Sequence, residues 1–458
     1  GTVSNVEPSR YDAAAAYVTF DLHQVNNRDP FIYKTADYGK TWKLISSDIP
    51  KSVFSYTHCV REDPVRRGLL YAGTENAVYV SFDDGGHWVS LQNNLPHAPV
   101  HWLVVQPHFN DLVVATYGRG FYILDDVTPL QQLTSTVLGS DAHLFAPRPA
   151  YRFQSVSGIT AAPNDQSVGQ NPPDGASINY YLKAVPKGDV IITIENDRGQ
   201  TIRRLQGTRQ VGLNRVWWDL RHERTKEARL RTTPPGNPHI WEEKRFKEAR
   251  QRGWMPIVSW GIGGGLTGPK AVPGTYTAKL TVGGKELTQK LVVKKDPNTA
   301  GTEADIQAQV KMALAVQEDL NTVVDAINQI EWVKKQIDDL TEVLGGTQGS
   351  SELVSAAKQL DKKISAAEAN FFQPILAEGD AKSFRAPNKL YSQFALLAGD
   401  VMSADFPPTN PQIEVFKELQ QELASARTQL KEALSNDLAA FNRMLVAKNM
   451  PGIIVTTP

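Results

Sequence analysis

Thr35-Ala36-Asp37-Tyr38-Gly39-Lys40-Thr41-Trp42 returns 46 residues later, from 35 to 81, as Ser81-Phe82-Asp83-Asp84-Gly85-Gly86-His87-Trp88. Both copies follow an aromatic run, Ile32-Tyr33-Lys34 and Val78-Tyr79-Val80, and both lead on to Ile49-Pro50 or Leu95-Pro96. The pattern encodes a tight hairpin. Asp37 and Asp83 accept from backbone N–H groups ahead of them, and Gly39 and Gly85 take the left-handed position the turn needs. The hydroxyls of Thr35 and Ser81 close the loop, while Trp42 and Trp88 are expected to pack between neighbouring sheets. A period in the forties is that of a four-stranded propeller blade.

Working outward, residues 1–140 are short β-branched and aromatic runs ended by turn residues, as expected of an all-β domain. A third blade follows without the repeat: Trp102 to Pro107, Asp111 to Thr116 and Gly120 to Asp126, with Val127 to Leu133 as its fourth strand. Since propellers close with about four to eight blades, these read as the last three blades of an incomplete propeller. Residues 141–297 alternate in the manner of a second β domain. Ile178 to Ala184, Asp189 to Asn196, Thr201 to Leu205, Asn214 to Leu220, Thr275 to Val282 and Lys285 to Lys294 fit an Ig- or fibronectin-like sandwich. An insertion at 221–270 carries His239, Trp241, Trp254 and Trp260 among basic residues and glycines. From 298 to 458 the period becomes helical, with a stripe from Ala313 through Leu320, Ile327 and Val333 to Leu344, and another from Ile413 to Leu445. Thr302 is set to cap the first long helix, Gly345-Gly346 to stop it, and Pro411 to open the last; the zone is expected to be an antiparallel helical bundle.

The repeat resembles the Asp-box of the BNR-repeat propellers, found in sialidases, sortilin-type receptors and xyloglucan-degrading glycosidases. The first copy matches the pattern throughout; the second has His87 where the pattern has Thr. The order of propeller, Ig-like sandwich and helical bundle resembles large bacterial proteins often labelled BNR-repeat or sortilin-like glycosyl hydrolases. That resemblance implies that Thr35, Asp37, Gly39, Thr41, Trp42, Ser81, Asp83, Gly85 and Trp88 stabilise the fold and are not catalytic. It also implies a place in the cell envelope, periplasmic or extracellular, although the chain carries no signal peptide.

The 458 residues hold 49 Lys+Arg, 49 Asp+Glu and one Cys. The charge balance removes any global field toward nucleic acid or anionic lipid, and one Cys forbids an internal disulfide or a cysteine metal cluster. No apolar run is long enough to span a membrane. Glu62, Asp63, Glu75, Asp125 and Asp126 end strands and read as solvated turn residues. The nine His show no metal-ligand spacing, so no metal, cofactor or catalytic residue is assigned. The binding candidates are Tyr117 and Arg119, in a Gly-flanked turn, with Trp102 and Trp241. The expected function is a non-catalytic interaction or scaffold protein, using a propeller face for recognition and the bundle for docking. Its partner would be a protein or further propeller blades, with a carbohydrate as a second class of ligand. The alternative is a sialidase- or xyloglucanase-like glycoside hydrolase whose catalytic residues are expected to lie mostly in absent N-terminal blades.

Overall fold

The computed structural model describes residues 1–154, 169–234, 236–257, 262–346, 350–375 and 386–455. They divide into two compact units, one from the described parts of Gly1–Ala150, Ala161–Trp218 and Thr275–Val292, the other from those of Tyr151–Thr160, Asp219–Gly274 and Val293–Pro458.

In the first unit, β1 (Thr2–Pro8), β2 (Ala16–Asp21), β3 (Phe31–Thr35) and β4 (Lys43–Leu44) form one antiparallel meander. A second meander comprises β5 (Thr57–Glu62), β6 (Leu70–Thr74), β7 (Val78–Ser81) and β8 (Val89–Ser90). A third has only β9 (Val100–Gln106), β10 (Asp111–Thr116) and β11 (Phe121–Leu124). These are three propeller-type blades stacked face to face. Tyr17, Ile32, Ile45 and Ile49 of the first pack on Val60, Leu70, Ala72 and Trp88 of the second. Cys59, Tyr71, Val78 and Val80 of the second pack on Leu103, Val105, Leu112 and Val114 of the third.

The stretch expected to be the third blade's outer strand is instead helix α1 (Thr128–Gln132). Pro129 lies in its first turn, where the missing N–H costs nothing, and Asp126 accepts from the Thr128 N–H and hydroxyl. After α2 (Ser135–Gly139) come β12 (Ala142–Leu144), β13 (Ala150–Arg152), β14 (Ala176–Leu182), β15 (Ile191–Glu195), β16 (Thr201–Gln206) and β17 (Gly212–Trp218). With β18 (Gly274–Val282) and β19 (Lys285–Lys295), reached after the short helix α3 (Lys247–Arg252), they make two sheets. Their orders are β12-β14-β17 and β13-β19-β18-β15-β16.

Asp126 joins the third blade to the first of these sheets. It is buried, and it accepts from the Ser177 hydroxyl and, at 3.0 Å, from the Asn179 amide. Arg215 donates to the carbonyls of Asp125 and Asp126 at 2.8 and 2.7 Å. Asp126 is therefore no solvated turn residue. The same correction applies to Glu62 and Asp63, both buried. Asp63 accepts from the N–H groups of Val65 and Arg66 at 2.8 and 2.9 Å and from the Tyr71 hydroxyl at 3.2 Å, so the desolvation of its charge is offset by bonds.

The second unit is built on helices. α4 (Glu303–Gly345) opens with a capping box between Thr302 and Asp305, as the sequence suggests, and is followed by α5 (Ser351–Glu368) and α6 (Leu390–Val401). The single last helix expected from Pro411 to Lys448 is interrupted: α7 (Asn410–Glu432) passes through a π-helical turn at Ala433–Leu438 into α8 (Ala439–Ala447). The insertion belongs to this unit. Ala228, Leu230, Ile240, Phe246 and Met255 share one apolar core with Val316, Leu320, Ile327 and Phe394. Its extended part runs along the polar side of α4, with Asn321, Asn328 and Glu331 accepting from the N–H groups of Lys226, Arg229 and Thr232, each at 2.8 Å. No described helix is long and apolar enough to cross a membrane.

Candidate functional site

Both copies of the repeat form the turn their residues call for. Asp37 accepts from the Thr41 N–H at 2.9 Å and its hydroxyl at 2.6 Å, and the Gly39 N–H donates to the Thr35 hydroxyl at 2.9 Å. In the second copy Asp83 accepts from the His87 N–H at 2.8 Å and pairs with its ring at 2.6 Å, while the Gly85 N–H donates to Ser81 at 2.9 Å. Gly39 and Gly85 have φ of 81° and 85°. These carboxylates are consumed by their own turns, which leaves the chemistry to another part of the blades.

That part is one end of the three meanders. In each, the innermost strand carries a register shift near its start: between Val3 and Asn5, between Thr57 and Cys59, and opposite Ala115/Thr116, where pairing jumps from Val100 to Trp102. The residues left out of the ladder are Ser4, His58 and His101. A bulge of this kind turns a side chain out of the alternating pattern. Beside them, where the second strand of each blade ends, stand Asp21, Glu75 and Tyr117. Each blade thus offers one bulged residue and one strand-end residue at the same level.

The pairs meet. His58 Nε2 lies 2.8 Å from Glu75 Oε2, and the rings of His58 and His101 stack at 4.2 Å between centroids. Tyr117, 73% exposed, stacks on His101 at 5.6 Å. On the other side Tyr56 packs edge-on to His58 at 5.3 Å and stacks with His23 at 4.8 Å. His23 Nδ1 is bonded to Asp21 at 2.6 Å. The result is a continuous strip of five rings, His23, Tyr56, His58, His101 and Tyr117, backed by two carboxylates. Burial, and then the neighbouring Glu75 carboxylate, push the Tyr56 hydroxyl up to about 12. Burial, and then the nearby His58, lowers His101 from its ordinary value. Ring nitrogens of His58 and His101 and a carboxylate oxygen of Glu75 all lie within 4.8 Å of one another.

Of the four binding candidates, the structure brings only Tyr117 into this strip. Arg119 is exposed at the tip of the following turn, whose flanking Gly118 and Gly120 have φ of 81° and 72°. Trp102, next to His101 in sequence, carries the Arg61 guanidinium 4.0 Å over its ring. Arg61 also reaches Asn5 at 2.7 Å and Glu7 at 3.2 Å. Trp241 belongs to the second unit, half-buried against its core with Nε1 donating to Thr233 at 3.0 Å. Trp260 lies outside the described residues. His58 and Glu75 are 17 residues apart in the sequence and on different strands, so no metal-ligand spacing marks them. The missing signal was the bulge: without it, His58 follows the alternation of an ordinary inner strand.

No protein family model and no curated protein matches the chain. Among solved structures it is similar to an ancestral GH74 enzyme, at 16% identity over 26% of this chain and 14% of that one, with a TM-score of 0.21. It is also similar to the GH74 enzyme of Niastella koreensis, at 13% identity over 45% and 33%, TM-score 0.23. A third is the GH74 xyloglucanase from Xanthomonas campestris, at 12% identity over 63% and 47%, TM-score 0.22. The chain spans less than half the length of each of these three.

Proposed function

We propose that the chain is a non-catalytic recognition protein of the cell envelope or exterior, whose blades bind a hydroxyl-rich ligand, an oligosaccharide, along the strip from His23 to Tyr117. The Ig-like sheets would act as a spacer and the helical unit as a docking element. The observation that carries this reading is the convergence of equivalent positions from three blades on one end. The exposed rings of His101 and Tyr117 offer stacking faces, and Asp21 and Glu75 offer acceptors for hydroxyl groups.

The hydrolase reading has less support. A glycosidase needs two carboxyls facing one bond, one of them held as an acid. Asp21 and Glu75 are each already bonded to an imidazole, at 2.6 and 2.8 Å. Within the blades, the carboxyls that burial raises, Glu7 and Asp125, lie toward the opposite end of the inner and outer strands, beside Arg61 and Asp111 respectively.

The test is a titration of the full chain with xyloglucan oligosaccharides and sialylated oligosaccharides, with reducing-end release followed in parallel. The double variant His101→Ala/Tyr117→Ala removes two exposed rings without opening a core. The expected result is saturable binding of a member of the panel, weakened at least roughly tenfold in the variant, a loss of ~1.4 kcal/mol, with no cleavage. Cleavage of the bound sugar, or binding that the variant leaves unchanged, defeats the proposal.

A further inference from the structure

We propose that His58, Glu75 and His101 form a site for a divalent transition-metal ion of the zinc class, at the centre of the recognition strip. The inference rests on the reading of that end of the blades as the binding site, and it names the group that would organise it.

Three donors converge there: a ring nitrogen from each histidine and a carboxylate oxygen, all within 4.8 Å of one another. Two imidazoles and one carboxylate suit zinc-class ions. Calcium and magnesium instead require shells of oxygen. Zinc bonds of about 2.0–2.2 Å to nitrogen and oxygen put tetrahedral neighbours roughly 3.4 Å apart. The His58–Glu75 pair, at 2.8 Å, already stands near that separation. His101 is exposed and stacked on His58, and ligation would require its ring to turn out of that stack toward the pair.

His58 and His101 are bulged residues of two adjacent inner strands, β5 and β9, and the bulge directs both out of their ladders at the same level. The Glu75 N–H donates to the Tyr56 carbonyl at 3.1 Å, which fixes the strand end that carries the carboxylate. Three protein donors leave a fourth position facing solvent beside Tyr117, where a hydroxyl or carboxylate of the ligand can complete the coordination.

The experiment uses the full chain, stripped with chelator and titrated with zinc chloride by calorimetry, with the visible spectrum of added cobalt(II) as a second readout. His101→Ala and Glu75→Gln each remove one donor from the surface or a half-buried position, and melting of the metal-free variants checks that they fold. His87→Ala, in the second turn, is the control for adventitious surface imidazole. The expected result is one zinc per chain, bound at least roughly tenfold more weakly in either donor variant and unchanged in the control. No saturable binding by the folded chain, or binding indifferent to His101→Ala, overturns the site. Oligosaccharide titration in chelator separates the two readings. Sugar binding that persists without metal and still falls in Tyr117→Ala overturns the metal's role in organising recognition and keeps the recognition reading. Zinc binding with no oligosaccharide bound overturns the recognition reading and keeps the metal site.

Discussion

The first and second blades share a motif and differ in what covers them. By register, Val6, Tyr33 and Trp42 of the first occupy the places of Val60, Tyr79 and Trp88 of the second. In the second blade this face is packed against the first: Val60 is 0% and Trp88 6% exposed, and Trp88 Nε1 donates to the Ile45 carbonyl at 2.6 Å. In the first blade nothing among the described residues covers it. Val6 is 56% and Trp42 44% exposed, and Trp42 Nε1 turns back to the Gly39 carbonyl of its own turn at 3.1 Å. A cavity of about 490 Å³ lined by Val18, Phe20, Leu22, Phe31, Tyr33 and Trp42 lies on this face. The hairpin is thus fixed by its local bonds, while the job of its tryptophan is set by the neighbouring sheet. A further blade seated as the first sits on the second would bury the same side chains.

Breaking the two tryptophans gives the largest expected contrast. Trp88→Ala removes a buried ring and its hydrogen bond, for a loss of about 3–5 kcal/mol; Trp42→Ala costs roughly 1 kcal/mol or less. Chemical unfolding followed on the blades measures both. A Trp42→Ala loss equal to that of Trp88→Ala would mean that the exposed face is covered in solution.

A smaller contrast lies in the turns. His87 titrates above its ordinary 6.5, because Asp83 bonds to and attracts its charged form. A group raised in the folded state stabilises fully below its ordinary value, and this stabilisation fades as pH rises through the folded one. The first turn has Thr41 at that place, and lacks this dependence. On the acid side the turns behave alike. Asp37 is lowered by the Thr41 hydroxyl, and in Asp83 the bonds from His87 and Ser81 outweigh burial, so both lose stabilisation as pH falls through their lowered values. His87→Thr should therefore flatten the fall in melting temperature as pH rises above about 6.5 and leave its acid limb in place. An unchanged alkaline slope in that variant removes His87 as its source.

Much of the fold can be read from short-range pattern. The Asp-Gly hairpins, the Thr302 cap and the helical stripes are local, and they stand where local chemistry puts them. Reading fails where partners are distant in sequence. Asp126 reads as a turn residue until Ser177 and Asn179 arrive to bury it, and the insertion's fate rests on Asn321, Asn328 and Glu331, roughly a hundred residues on. The site is the extreme case. Tyr117 was visible as an aromatic in a glycine-flanked turn, but His58, Glu75 and His101 join only through bulges repeated in separate blades, and a bulge leaves no residue signature of its own.

The central claim is that recognition occurs at the bulged end of the blades. Hydrogen–deuterium exchange of the full chain, with and without the oligosaccharide it binds, tests this most directly. The account predicts protection confined, within the blades, to residues 21–24, 56–59, 75–77, 100–102 and 116–119. Protection on the apolar face of the first blade, or around Glu7 and Arg61 at the other end, with the bulged end unchanged, would contradict it.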